Sequence, residues 1–347
     1  MSRLTKRLER SKASEPVLAT IGAYPTAIAW SAGGTILAVG QDDGDVELLF
    51  PATGGSRQRI HAHAGPVQSV AWHPHRDALL TTGQDGAVKL WESPFATAIE
   101  LAAPNGTWAD HACWTATGDR AAFAVGTRAH VVTPGTAQVA TTQPVASTIA
   151  GLAFTPSGKS LGAACYGGVC LFDPLTGRPT RKLEWRGSMI SIAFAPDGSV
   201  VACGCQDNSV HFWRIASGKD AQMSGYPAKP RSLSFSHDGR WLATAGDAAI
   251  SLWPFDKRGP EGRAPVQLEG HPDVVTEVAY APLVDLLLSG SKDGTVAIWA
   301  PPKLKTPVSL ARMTGKITRV AWGADGAAQL LRWVAADENG RVMVGQL

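Results

Sequence analysis

The sequence contains no run of eighteen apolar residues, so no segment reads as a transmembrane helix. Its first residues, MSRLTKRLERSKAS, lack the apolar stretch of a secretory signal, and the expectation is a cytoplasmic protein with no membrane span. Cysteine is scarce: five residues, at 113, 165, 170, 203 and 205, without the spacing of a disulfide framework or a haem site, as expected of free thiols in a reducing compartment. G-x-x-x-x-G-K-[ST], H-E-x-x-H and C-x-x-C are all missing, which removes the common nucleotide and zinc-peptidase signatures. Charge of one sign is also in short supply. The net charge is +3, and Arg3, Lys6, Arg7, Arg10 and Lys12 against Glu9 put +4 of it in the first fourteen residues, leaving the body at −1. A nearly neutral body has no broad basic field for a phosphate backbone, so no specific nucleic-acid partner is expected.

Hydrophobic content of 44% and charged content of 18% are the values of a folded chain. Its organisation lies in a repeat. An aromatic recurs at Trp30, Trp72, Trp114, Phe154, Phe194, Phe235, Tyr280 and Trp322, with successive spacings of 42, 42, 40, 40, 41, 45 and 42 residues. Each aromatic is followed by a polar or glycine-containing turn, a small-residue strand, a second turn such as GQDG or SKDG, and a short apolar strand. Asp-Gly in the second turn is the composition of a tight hairpin. One such unit is a small sheet with an apolar face and nothing to cover it, so it needs neighbours.

These units resemble WD repeats, whose roughly 40–45 residues form four-stranded blades of a β-propeller. The resemblance is strongest in 63–91 and 270–299, good in 189–213 and 230–253, and weakest in 108–132 and in the last unit, where Gly345 stands in the place of tryptophan. It implies an all-β fold of one domain, 15–347, behind a basic tail, 1–14. The aromatic count predicts eight blades, with seven as the alternative. The last unit ends after its third strand, and the segment PVLATIGA, 16–23, is expected to complete it and close the ring. The resemblance also assigns a buried hydrogen-bonded set to His63, Thr81 or Thr82, Asp85 and Trp91, and a second to His271, Ser289 or Ser291, Asp293 and Trp299.

His61, His63, His73 and His75 do not make one metal site: a strand of about seven residues parts the two pairs by roughly 20 Å. Cys203 and Cys205 share a strand face, and Cys165 aligns with Cys205 one unit earlier, but blades about 10 Å apart suit small buried side chains better than a shared zinc. No cofactor and no metal are expected. The resemblance implies a non-catalytic scaffold for protein or peptide partners; the alternative is a propeller enzyme or metal-handling protein with its site at the channel mouth. The turn after the second strand and the connection leading into the first strand share one face of a blade. The candidate partner surface is therefore Tyr24, Gln84, Trp108, Arg128, Tyr166, Gln206, Arg231, Asp273, Lys292 and Lys316, rich in aromatics and arginine and poor in carboxylates.

Overall fold

A computed structural model describes residues 16–51, 56–104, 106–136, 138–256, 259–325 and 330–347; the basic segment 1–14 lies outside them. Eight antiparallel sheets follow one another along the chain, as the repeat requires. Blade 1 spans 25–61, and blades 2 to 7 span 67–102, 109–141, 151–188, 193–223, 233–268 and 275–312. In blade 4 the second and third strands run together as Leu161–Phe172. Its first half pairs with Gly151–Phe154 and its second half with Pro179–Ser188, and Gly167 and Gly168, at φ 90° and 117°, make the bend between them.

The first strands of neighbouring blades touch: Pro25–Trp30 lies between Val67–Trp72 and Ile317–Asp325, so these strands line the centre of the ring. The repeated aromatic ends the first strand in blades 1 to 7 and lies within it in blade 8. In blades 2, 5, 6 and 7 it faces across the sheet an aliphatic residue and then the closing tryptophan, as in Trp72↔Leu79↔Trp91 and Tyr280↔Leu287↔Trp299. Blade 8 exchanges the last two positions. The row reads Trp322↔Trp333↔Gly345, and a side chain at Gly345 would meet the Trp333 indole, so the ring missing from the third strand is supplied by the second.

Where the repeated aromatic is tryptophan it also ties blades together. The indole N–H of Trp72 donates to Ala29 O at 3.0 Å, that of Trp114 to Ala71 O at 3.1 Å, and that of Trp322 to Ala279 O at 2.8 Å. Trp30 occupies the same position, but its buried N–H finds no acceptor. Replacing Trp72, Trp114 or Trp322 by Phe should therefore cost about 1 kcal/mol more than Trp30→Phe, because only the first three lose a hydrogen bond and strand its acceptor. Equal losses in urea titrations of all four variants would show that ring volume alone matters.

The ring is closed by Val17–Thr20, which pairs antiparallel with Arg341–Gln346 through Val17↔Val344 to Thr20↔Arg341. Ile21 continues the contact: its N–H donates to Gly340 O at 2.8 Å and its side chain is buried against Trp30 and Val342. Across the same seam the Arg332 guanidinium donates to Gly34 O at 2.6 Å.

Inside blade 2 the Trp91 indole donates to Thr81 Oγ1 at 3.1 Å, Thr81 lies 2.9 Å from His63 Nε2, and His63 Nδ1 lies 3.1 Å from Asp85. Burial pushes the His63 imidazole down to about 4 against the pull of Asp85, so it is neutral at pH 7. A neutral ring fixes the direction: Thr81 donates to Nε2 and Nδ1–H donates to Asp85. Thr82, the other candidate hydroxyl, is buried without a partner. In blade 7 Ser289 takes the place of Thr81, 2.7 Å from His271 Nε2 and accepting from Trp299 at 2.8 Å, with Ser291 bonded elsewhere, to Asp273 O. Here the aspartate reaches the histidine through a relay: His271 Nδ1 lies 2.6 Å from Thr295 Oγ1, which donates to Asp293 at 2.7 Å. Blade 6 builds the same chain without histidine. Tyr226, nine residues before its aromatic as His63 and His271 are, accepts the Trp253 N–H at 2.6 Å and lies 2.8 Å from Thr244 Oγ1.

Candidate functional site

The channel mouth is formed by the second turns and by the connections leading into the first strands. A recurring backbone bond locks these two segments to each other. Asp42 N donates to Tyr24 O, Gln84 N to Pro66 O, Gln206 N to Ser188 O, Lys292 N to Val274 O and Glu338 N to Lys316 O, all between 2.9 and 3.1 Å. Side chains on this face therefore project from a fixed backbone, as a pre-organised binding surface requires.

Blades 5 to 8 and blade 1 border a half-open cavity of about 560 Å³ at this mouth. Four of the ten expected residues line it: Tyr24, Arg231, Lys292 and Lys316. Lys229, Arg319 and Asn208 join them from outside the expected set. The other six do not line it. Trp108 and Tyr166, 57% and 53% exposed, stand on blades 3 and 4. Arg128 donates to Thr142 O at 2.7 Å within its own blade, and Asp273 accepts from Val274 N at 2.6 Å. Gln84 and Gln206 hold the turn positions of blades 2 and 5.

The lining contains five cationic side chains and no carboxylate. Carboxylates near it serve the backbone: Glu338 accepts from Lys316 N at 3.2 Å, and Glu277 accepts from Val320 N deeper in the channel. Burial pushes Glu277 above the usual carboxylate range, and Arg319 and the Val320 N–H oppose that shift.

All five cysteines are free thiols. Burial pushes Cys113 up to about 12 and Cys203 well above its ordinary value, so both are unreactive packing groups. Within the bent strand of blade 4 the Cys165 thiol donates to Tyr166 O at 3.3 Å, with Cys170 as its neighbour. Among the described residues no group of three or more His, Cys, Asp or Glu side chains is placed to hold a metal ion, and no helix is long and apolar enough to cross a membrane. On the opposite face, His73 Nε2 and His75 Nε2 lie 3.1 and 2.9 Å from Gly118 O and Ala116 O, joining blade 2 to blade 3.

Four stretches, 54–92, 177–214, 221–254 and 263–300, match the family model described as WD domain, G-beta repeat. Each runs from the outer strand of one blade through the third strand of the next. This is an eight-bladed β-propeller in which four stretches match WD repeats. The chain is 26% identical over 307 residues to "Autophagy-related protein 16" of Arabidopsis thaliana, covering 86% of this chain and 58% of that protein. It is 23% identical to "Pre-mRNA-processing factor 19 homolog 2" of the same plant over 322 residues, 88% of this chain and 52% of that protein. The chain thus spans little more than half the length of either relative. Among solved structures, the computationally designed Ika8 protein shares the fold with a TM-score of 0.77 and 18% identity, over 94% of this chain and 98% of that one.

Proposed function

We propose that this chain is a non-catalytic, cytoplasmic scaffold whose channel-mouth face holds an acidic segment of a partner protein. The observation that carries the reading is the gathering of Arg231, Lys292 and Lys316 with Tyr24 around one carboxylate-free cavity, on backbone locked by the turn-to-connection bonds. Opposite charge speeds encounter and selects among partners. Trp108 and Tyr166, exposed on the neighbouring blades, supply the aromatic contact area typical of binding hot spots. The four stretches that match WD repeats support a binding role over a catalytic one.

The test is capture of native partners by the double variant Arg231→Glu/Lys292→Glu, with folding checked by circular dichroism. Capture should fall about tenfold or more, and the loss should be larger at low salt, where exposed charges are less screened. The matched reversal Lys159→Glu/Arg178→Glu, on the turns of the opposite face, should leave it unchanged. Loss in the second variant alone would move the partner to the other side of the ring.

A further inference from the structure

The charge at the channel mouth is not answered by the fold. Lys229 and Arg231 of blade 6, Lys292 of blade 7, and Lys316 and Arg319 of blade 8 line a single space of about 560 Å³. Among the described residues none of the five is in an ion pair at 4 Å or less. Arg319 is the best compensated, donating to Thr318 O at 2.8 Å and lying near Glu277. The other four face the cavity with no opposing carboxylate in its lining. Like charges facing one space repel, and the arrangement is relieved by an anion placed among them.

The shape of the space decides which anion. An extended peptide advances about 3.3 Å per residue, so an acidic segment lying across the mouth places only one or two carboxylates in this half-open space and leaves the remaining cations unanswered. A compact polyphosphate brings several charges and many acceptor oxygens at once. Arginine recognises these with its planar fork and lysine as a point charge. The cavity also falls within the usual volume range of small-ligand sites, about 300–1,000 Å³.

We propose that this cavity is a binding site for a polyphosphorylated small molecule, with Arg231, Lys292 and Lys316 contacting its phosphoryl groups. The site goes beyond the scaffold reading, because it needs no protein partner. Titration calorimetry of the full chain with inorganic triphosphate at low ionic strength tests it. Saturable binding with one site per chain is expected, weakened tenfold or more by Lys292→Gln/Lys316→Gln and unchanged by Lys159→Gln/Arg178→Gln. Without ligand, the first double variant should melt at or above the wild-type temperature, since it removes repulsion. If it melts lower, Arg231→Gln alone is titrated and must show the same direction of weakening. Absence of saturable binding, or equal affinity in the two double variants, overturns the proposal. Loss of partner capture with triphosphate binding intact, or the reverse, separates the failure of one reading from that of the other.

Discussion

Deleting residues 1–24 should lower the stability of the propeller sharply, whereas deleting 1–14 should leave it almost unchanged. The longer deletion removes Val17–Thr20 from the edge of Arg341–Gln346 and takes Ile21 out of the core between blades 8 and 1. Emptying a buried isoleucine site costs about 2–5 kcal/mol, and each lost ladder hydrogen bond adds about 0.5–1.5 kcal/mol. The exposed edge is also a template for pairing with other chains, so the loss should appear as aggregation as well as a lower melting temperature. Equal melting temperatures and equal solubility for the two truncations would show that the closing strand is dispensable.

Acid should destabilise the protein chiefly through two histidines, with His73, His130 and His211, also held below the ordinary value by burial, acting in the same direction. His63 and His271 are held at about 4 by burial, against about 6.5 in an unfolded chain. Between those values the unfolded chain binds protons that the folded chain refuses, so stability falls as pH falls from about 6.5 toward 4. At about 1.4 kcal/mol per pH unit for each histidine, the loss by pH 4.5 is about 2–3 kcal/mol per site. Asp85 and Asp293 do not offset it. Burial pushes both up, but their hydrogen bonds outweigh it and hold them below the ordinary carboxylate value, so their contribution is lost at still lower pH. Blade 6, with Tyr226 in the histidine position, has no group at that position that titrates in this window. Urea titrations at pH 7 and 4.5 check the account: His63→Gln should be less stable at pH 7, by about 1–3 kcal/mol, but should lose less on acidification. A wild-type slope preserved in both His63→Gln and His271→Gln would sink it.

The period and the blade count were legible because an aromatic holds the same row of the first strand in every blade, and a missing fourth strand in the last unit matched an orphan strand at 16–23. The substitutions within that row were harder to read. Gly345 suggests a decayed blade when seen alone; only the pairing Trp333↔Gly345 reveals that the indole has moved one strand inward. Tyr226 stands at the spacing of His63 and His271, but a search by residue type passes over it, since the shared property is a hydrogen-bonding ring beside Thr244 and Trp253. The channel mouth was legible as a face and not as a cavity. Lys292 and Lys316 follow from repeat position, whereas Lys229 and Arg319 count only once blades 6 to 8 are curved toward one another. Arg128 shows the converse: repeat position places it on the face, and a bond to Thr142 O turns its guanidinium to local use.

The seam sets a kinetic condition on the molecule. Most blades are hairpins of neighbouring residues and can form as soon as their own forty residues are available. The seam joins Thr20 to Arg341 and Gly34 to Arg332, separations of about three hundred residues. Contacts that distant must overcome the entropy of closing almost the whole chain, and such topology slows folding. Until they form, Arg341–Gln346 presents an unpaired edge and blades 1 and 8 each present a bare apolar face, so the final step of folding is also the one most open to capture by another chain.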